Sequence, residues 1–448
     1  MDNHWPGRGC DAGPRHRARA GNRGVRAPVP YRASGQRRQP VPPELSRPDA
    51  RRDLPRRRGR APPFSQCAGG TDANGGNYER ASDPWVRFGP DGQLYLIALA
   101  SSPLVPHSAI LLSRSRDGGR TWGPVQTLIT DSAPDVLDDK PAVTADPGRR
   151  GQAYAVWTRL SGLSDSEGDE AAGDLRALTP RAAGEPPIGP AYFTRTVDGG
   201  ATWDPPRPIL DPGPDAQTTG AQVVVLGDGT LVLVTNVITP DGVGHMTAVR
   251  STDGGRTWQA PQEISTMRWA RILDPDTGAR VRTADFLPSV AADPRRGHAE
   301  LYVAWQDAAL TGGTQAQVVL SASRDGGRTW SPPARLSRDQ GQAFLPQLAV
   351  NELGVPMLTY FDFSRNLPDT AALETTLWTR VQVRPGCWTA PRPVPELAID
   401  LRQAPVAGGY FLGDYVGIAS HGIGFGALVP VPRLRPDDPA DVVYVRLR

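Results

Sequence analysis

Carboxylates, amides and phenols recur along this chain at one kind of place, the residues that open or precede a short apolar run. They are Asp83, Asp139 with Lys140, Asp285, Gln347, and Asp414 with Tyr410 and Tyr415. Two carboxylates at a suitable distance can act as acid and base on an acetal, and planar polar groups hold sugar hydroxyls. These residue types therefore point to carbohydrate chemistry, provided that the fold brings sequence-distant positions together.

An eight-residue motif, SxDxGxTW, supplies the periodicity that such a fold requires. Intact copies occupy residues 115–122, 196–203, 251–258 and 323–330, and a degenerate copy occupies residues 381–388. Their tryptophans lie about 66 residues apart on average, a repeat length typical of stacked structural units. Residues 63–448 therefore hold about six units of this length.

Hairpins are predicted both at each motif and before it. The Asp-Gly-Gly turn between two apolar runs indicates one hairpin, because paired glycines accept the positive φ of a tight turn. A second hairpin signal precedes each motif, as in QVVVLGDGTLVLVTNVI, and this signal occurs in six copies. Two hairpins make a four-stranded antiparallel sheet, and six such sheets in a ring make a six-bladed β-propeller. We therefore predict an all-β, six-bladed propeller.

The last unit has signals for only three strands. A strand from residues 64–80 is expected to complete its sheet and close the ring, because unpaired sheet edges invite aggregation. That closure would bring Cys67 towards Cys387 in the degenerate motif. A disulfide between them is one hypothesis, and two buried free thiols are the other.

The SxDxGxTW motif is the Asp-box, or BNR repeat, so residues 63–448 resemble the sialidase (neuraminidase) superfamily. The resemblance implies a sugar pocket at one end of the propeller axis. It also implies three arginines that bind the sugar carboxylate, a tyrosine nucleophile activated by a glutamate, and an aspartate as acid/base.

Several residues are candidates for these implied roles. Arg80 and Arg282 are candidates for two arms of the arginine clamp, whereas the expected place of the third, residues 342–347, holds no arginine. Tyr410 opens the last unit, where the resemblance implies the nucleophile. The candidate catalytic residues are thus Asp83, Tyr410 and Asp285, and the candidate substrate-binding residues are Arg80, Asp139, Lys140, Arg282, Gln347, Asp414 and Tyr415.

Two functions remain open at this point. One is a sialidase-like glycoside hydrolase that cleaves terminal sialic or related acidic sugars, and a pair of carboxylates among the candidates would serve another glycosidase chemistry. The other is a non-catalytic propeller for carbohydrate or protein recognition. We expect a carbohydrate or glycoconjugate partner, a monomer, and no cofactor or metal, because the cysteines and histidines lack ligand spacing.

The first 62 residues differ in composition from the rest. They hold 16 arginines and five acidic residues among many prolines and glycines, which is typical of a disordered tail. The remainder carries a net charge of −8, so we expect no nucleic-acid partner. No apolar run has the length of a membrane span. No signal peptide is visible, although the resemblance favours a secreted or periplasmic location.

Overall fold

The computed structural model describes residues 61–102, 107–162, 188–339, 341–395, 397, 399–433 and 440–447. Within these residues the regular structure is β-strand apart from a few short 3-10 turns. The segment predicted to be a disordered tail, residues 1–62, lies outside the described residues except for its last two. No described helix is long and apolar enough to cross a bilayer.

Consecutive antiparallel meanders form the first half of the described chain. Sheet 1 contains β1 (Arg80–Phe88), β2 (Leu94–Ser102), β3 (His107–Ser115) and β4 (Gln126–Asp131). Sheet 2 contains β5 (Val136–Ala145), β6 (Ala153–Ser161), β7 (Ala191–Thr196) and β8 (Arg207–Leu210). Sheet 3 contains β9 (Gln217–Val225), β10 (Leu231–Ile238), β11 (Gly244–Ser251) and β12 (Gln262–Met267).

The second half departs from the four-strand pattern at two sheets. The strands between sheets 3 and 4 are β13 (Ile272–Leu273) and β14 (Arg280–Arg282). Sheet 4 contains β15 (Ser289–Ala292), β16 (Leu301–Asp307), β17 (Gln317–Ser323) and β18 (Ala334–Arg335). Sheet 5 contains six strands, β19 (Ala343–Val350), β20 (Pro356–Asp362), β21 (Glu374–Arg384), β22 (Cys387–Trp388), β23 (Arg392–Pro393) and β24 (Ile399–Asp400). Then β25 (Tyr410–Phe411) pairs in parallel with β14, and sheet 6 contains β26 (Gly417–His421), β27 (Gly424–Pro432) and β28 (Ala440–Leu447).

The strand expected from residues 64–80 does not join sheet 6, so this prediction is wrong for the described chain. The segment forms two 3-10 turns, Gln66–Ala68 and Asp72–Asn74, and each turn ends at a left-handed glycine. Phe64 and Tyr78 pack on β2 and β3 of sheet 1. The glycine-rich sequence explains the difference, because glycine favours left-handed turns and weakens an extended strand.

The hypothesis of a disulfide between Cys67 and Cys387 is also wrong. Cys67 is a free and exposed thiol, whereas Cys387 is buried in β22. The hypothesis depended on the closing strand, and the turn at Gln66–Ala68 places Cys67 beside sheet 1 instead.

The first strand of each of the six sheets contacts the first strand of the next, from β1 through β5, β9, β15 and β19 to β26. Four of these first strands carry a bulge near the start, and one residue in each bulge is left-handed. These residues are Asp83 (φ 51°), Lys140 (φ 53°), Gly220 (φ 66°) and Leu345 (φ 49°). A bulge redirects side chains, and left-handed residues other than glycine are strained and concentrate at functional sites. Two sequence candidates, Asp83 and Lys140, therefore occupy positions that the backbone holds at a cost.

The four intact Asp boxes form the same turn. In the first, Asp117 accepts hydrogen bonds from the amides of Arg120 and Thr121 at 2.9 Å and from the Thr121 hydroxyl at 2.6 Å. Ser115 accepts a bond from the amide of Gly119 at 2.8 Å. These bonds hold the pKa of the Asp117 carboxyl well below its ordinary value, the Thr121 hydroxyl being the largest cause. The motif is therefore a self-contained turn, as an Asx-type motif requires.

An arginine immediately before each of the first three boxes ties its sheet to the next box. The bonds run from Arg114 to Gly199 O at 2.7 Å, from Arg195 to Gly254 O at 2.8 Å and from Arg250 to Gly326 O at 2.7 Å. The fourth box has Ala322 at this place, and the motif that follows it is the degenerate one. Arg380 stands at this place before the degenerate motif and donates instead to Leu336 O, at 2.9 Å.

In the third box, the second glycine is expected to tolerate substitution less well than the first. A Cβ on Gly255 (φ 82°) would lie 2.4 Å from Cζ of Phe193, whereas one on Gly254 (φ 72°) would lie 3.5 Å from its nearest neighbour. Left-handed strain alone costs Gly254→Ala about 1 kcal/mol. Overpacking should cost Gly255→Ala about 1–3 kcal/mol more. Chemical denaturation of both variants measures this difference, and equal losses would contradict it.

Candidate functional site

Lys140 lies at the centre of a buried group of charged side chains. Its Nζ is 3.3 Å from Asp414 Oδ2, 3.6 Å from Asp139 Oδ2 and 3.9 Å from Asp83 Oδ1. Burial opposes the positive charge, but the neighbouring acidic groups, with Asp139 first, raise the pKa of Lys140 well above its ordinary value. The site therefore holds a permanent ammonium among three carboxylates from the starts of β1 and β5 and the approach to β26.

Arg282 reaches the same group from β14. Its Nη2 lies 3.3 Å from Asp414 Oδ2, and its guanidinium carbon lies 4.2 Å from the centre of the Phe411 ring. The parallel pairing of β14 with β25 sets this geometry, because Arg282 is directly opposite Phe411. Two cations, the ammonium of Lys140 and the guanidinium of Arg282, thus share one oxygen of Asp414.

Tyr415 is the phenol of this group. Its ring meets Trp85 edge to face at a centroid distance of 5.8 Å and packs on the apolar cluster that includes Ala284 and Phe286. Burial, more than the neighbouring carboxylates, raises the pKa of Tyr415 well above its ordinary value. The phenol is therefore neutral at physiological pH. Asp285, half-buried, lies between the two cluster residues, so this candidate belongs to the segment that Tyr415 contacts.

Three candidates lie apart from Lys140 in the contacts of the described residues. Arg80 is exposed at the start of β1, and Gln347 lies half-buried on β19 opposite Thr359. Tyr410 is opposite Val281 and packs against the apolar cluster of sheets 5 and 6. The structure therefore brings together six candidates, and they are Asp83, Asp139, Lys140, Arg282, Asp414 and Tyr415.

Trp85 and Phe411 are aromatic residues that contact the candidate site and that sequence reasoning missed. Each is an aromatic residue that flanks a candidate, Trp85 two positions after Asp83 and Phe411 next to Tyr410. The available signal was therefore an aromatic residue within two positions of a polar residue at the start of a strand, a combination that is typical of sugar sites.

Asp138 is a further buried carboxylate next to the site, on the opposite face of β5 from Asp139. It accepts a hydrogen bond from Trp157 Nε1 at 2.7 Å and forms an ion pair with Arg159 Nη1 at 3.0 Å. Arg159 also pairs with Asp131. Burial raises the pKa of Asp138 to about 6 in spite of Arg159.

One described cluster has the residue types of a metal site, and it lies away from Lys140. Asp293, His298 and Glu300 place their ligand atoms within 4.8 Å of one another. Arg295, however, bonds to both oxygens of Asp293, with Nη2 to Oδ2 at 2.5 Å. A guanidinium at this position supplies the positive charge that a metal would supply, so the cluster is an ion-pair network.

The first strands of the six sheets contact one another in chain order, and the Asp-box motifs form the turns between third and fourth strands, so the fold is a repeated all-β fold. Among solved structures, the chain is similar to the Hadza microbial sialidase Hz136, with a TM-score of 0.50 and 18% identity over 82% of this chain and 66% of that one. It is similar to the NanB sialidase of Streptococcus pneumoniae, with a TM-score of 0.50 and 11% identity over 84% and 70% of the two chains.

These similarities confirm, at the level of the fold, the resemblance stated from the Asp boxes. The chain spans about two thirds of the length of the two sialidases. No family model matches the sequence. No curated protein matches it either.

Proposed function

We propose that the chain is a six-bladed propeller of sialidase type that binds a sugar at its axis and hydrolyses a glycosidic bond. The observation that carries the proposal is the convergence of Asp83, Asp139 and Asp414 on Lys140. These residues come from sheets at the two ends of the described chain, and each lies at or next to the start of an inner strand. In a propeller the sheets surround a central channel, so side chains at the starts of the inner strands line one mouth of that channel, which supports a ligand site there.

The three carboxylates lie close enough together for a pair of them to act on one glycosidic bond. All three oxygens lie within 4 Å of one nitrogen, so every pair is within about 8 Å, a range that includes the separations of retaining and inverting glycosidases. Asp83 is the most accessible of the three, with a side chain 14% exposed. We assign Asp83 the role of proton donor to the leaving group, because that group must be reached from the open side.

Tyr415 is a better candidate than Tyr410 for a phenol nucleophile. Tyr415 lies among the carboxylates that could accept its proton, whereas Tyr410 packs on an apolar cluster. A neutral phenol is repelled less than a carboxylate by an acidic sugar. Lys140 and Arg282 both contact Asp414 Oδ2, so they are close enough for one substrate carboxylate to bind both. A terminal acidic sugar is therefore the substrate that we propose.

A non-catalytic sugar-binding propeller is the second candidate function. The observation that favours it is the engagement of Arg282 with both Asp414 and the face of Phe411, an arrangement that fixes the guanidinium before any substrate arrives. A binding protein gains affinity from such a fixed site. Hydrolysis separates the two candidates, because only the first requires it.

The test is hydrolysis of a fluorogenic sialoside beside a panel of neutral glycosides. We expect turnover of the sialoside and a loss of about a hundredfold in kcat for Asp83→Asn, the effect of removing a general acid. Asp339→Asn, a substitution on an exposed side chain that is 82% accessible, is the control and should keep full activity. Sugar binding without hydrolysis of any member would replace the enzyme with the binding protein, and absence of both would overturn the proposal.

A further inference from the structure

Two cavities lie at corresponding places in the repeat, each between one sheet and the Asp box of the next. The first, cavity A, has a volume of about 200 Å³ and is lined by Phe193, Arg195, Asp204, Arg207 and Arg256. The second, cavity B, has a volume of about 370 Å³ and is lined by Ala248, Arg250, Gln259, Gln262 and Arg328. Both are remote in sequence from Lys140 and its partners.

The two linings correspond residue by residue. Arg195 and Arg250 each precede an Asp box. The backbone carbonyl of Arg195 accepts a hydrogen bond from the amide of Asp204, and that of Arg250 accepts one from the amide of Gln259, both at 2.8 Å. Cavity B therefore has an amide where cavity A has a carboxylate. By the same register, Ala248 in B replaces Phe193 in A, which explains the larger volume.

In cavity A, groups of the protein itself bind the arginine side chains. Nε of Arg195 forms an ion pair with Asp204 at 2.7 Å. Arg207 donates to the carbonyl oxygens of Gly255 and Arg256. The guanidinium groups are therefore engaged by groups of the protein.

Cavity B lacks the matching anion. Arg250 is 8% exposed, and it donates from Nε to Gly326 O at 2.7 Å and from Nη1 to the neutral Gln259 at 3.1 Å. None of the described carboxylates lies within 4.0 Å of Arg250, and Asp228 and Asp325 act on it only from farther away. Burial lowers the pKa of Arg250, and the positive charge of the neighbouring Arg328 lowers it further. A buried cation without a close counter-ion is costly, so the site favours an anion supplied from outside.

We propose that cavity B is an anion site that binds a tetrahedral oxyanion, sulfate or phosphate, either free or as an ester on a larger molecule. The planar forks of Arg250 and Arg328 suit two oxygens each. The amides of Gln259 and Gln262 donate to the remaining oxygens. The volume of cavity B falls in the usual range of small-ligand sites. This inference does not depend on the proposed hydrolase activity.

The experiment is calorimetric titration of the full chain with sodium sulfate, sodium phosphate and a 6-O-sulfated N-acetylglucosamine, each against sodium chloride at matched ionic strength. Gln259→Asp installs the carboxylate of cavity A, and Arg328→Gln removes one cation. Arg120→Gln is the matched control, because Arg120 and Arg328 make the same bond within their boxes. Thermal denaturation of each variant shows that it is folded.

We expect saturable binding of at least one oxyanion to the wild type and to Arg120→Gln. Gln259→Asp and Arg328→Gln should each weaken it about tenfold or more, the effect of losing a charge-assisted bond. Tighter binding of the sulfated sugar than of sulfate would assign the site to an ester, and equal binding would assign it to the free ion. If binding does not saturate, or if it is unchanged in both folded variants, the result indicates an adventitious ion only and overturns the proposal.

Discussion

Lys140→Met is expected to lower the free energy of unfolding by about 3–5 kcal/mol, the usual cost of removing one partner from a buried ion pair. The substitution keeps the volume of the side chain but removes the ammonium that contacts Asp83, Asp139 and Asp414 at 3.3–3.9 Å. Arg282 still contacts Asp414 in the variant. Chemical denaturation followed by tryptophan fluorescence measures it.

A charge-preserving control and a direct probe accompany this prediction. Lys140→Arg keeps the cation and should lose much less stability than the methionine variant. Lys140 is the only lysine of the chain, so an amine-reactive reagent can label only this side chain and the N-terminus. Labelling of Lys140 in the folded protein at the rate of an exposed lysine, or a loss below 1 kcal/mol in Lys140→Met, would contradict the central role of the ammonium.

The sequence was sufficient to predict the hairpins and most of the residues that meet at Lys140. Paired glycines and the Asp-box aspartate determine a local turn, and each turn forms from bonds within a few residues, as at Ser115 and Asp117. The candidates at Asp83, Lys140 and Asp414 were found because strand openings in a repeat share one end of their sheets. Local chemistry and repetition thus carried these predictions.

The sequence is least informative about contacts between distant segments, which no local pattern specifies. The choice between Tyr410 and Tyr415 depends on the pairing of β14 with β25, which are more than 120 residues apart. Likewise, residues 64–80 pack on sheet 1 because Phe64 and Tyr78 find an apolar surface there, including Ala98. A sequence records that these residues are apolar but not which surface they cover.

One long-range contact was nevertheless available in the sequence. Arg114, Arg195 and Arg250 precede intact boxes and bond to the next one, and the box before the degenerate motif has Ala322 instead. The loss of the arginine coincides with the loss of the Asp-Gly-Gly turn whose carbonyl oxygen it would meet. Comparison of units within one chain therefore indicates contacts between neighbouring sheets, and the same comparison distinguishes cavity B from cavity A.

The stability of the protein is expected to depend on the ionisation of Asp138. Burial raises the pKa of this carboxyl to about 6 in the folded state, whereas the unfolded value is about 3.9. The folded state therefore binds the proton more tightly, so this contribution to stability is complete below pH 3.9 and is lost as the pH rises through 6. Two pKa units correspond to about 3 kcal/mol. Asp138→Asn has no proton to lose and keeps an acceptor for Trp157.

The difference in unfolding free energy between Asp138→Asn and wild type should therefore shift by about 3 kcal/mol in favour of the variant from pH 4 to 7. Asp274 is the matched control of opposite sign, because its bonds to Arg402 hold its pKa well below the ordinary value. The contribution of Asp274 to stability is present at pH values above that ordinary pKa and is lost as the pH falls. The free energy of unfolding of Asp274→Asn should therefore be lowest relative to wild type at neutral pH. A pH-independent difference for Asp138→Asn would mean that Arg159 keeps Asp138 ionised in spite of burial.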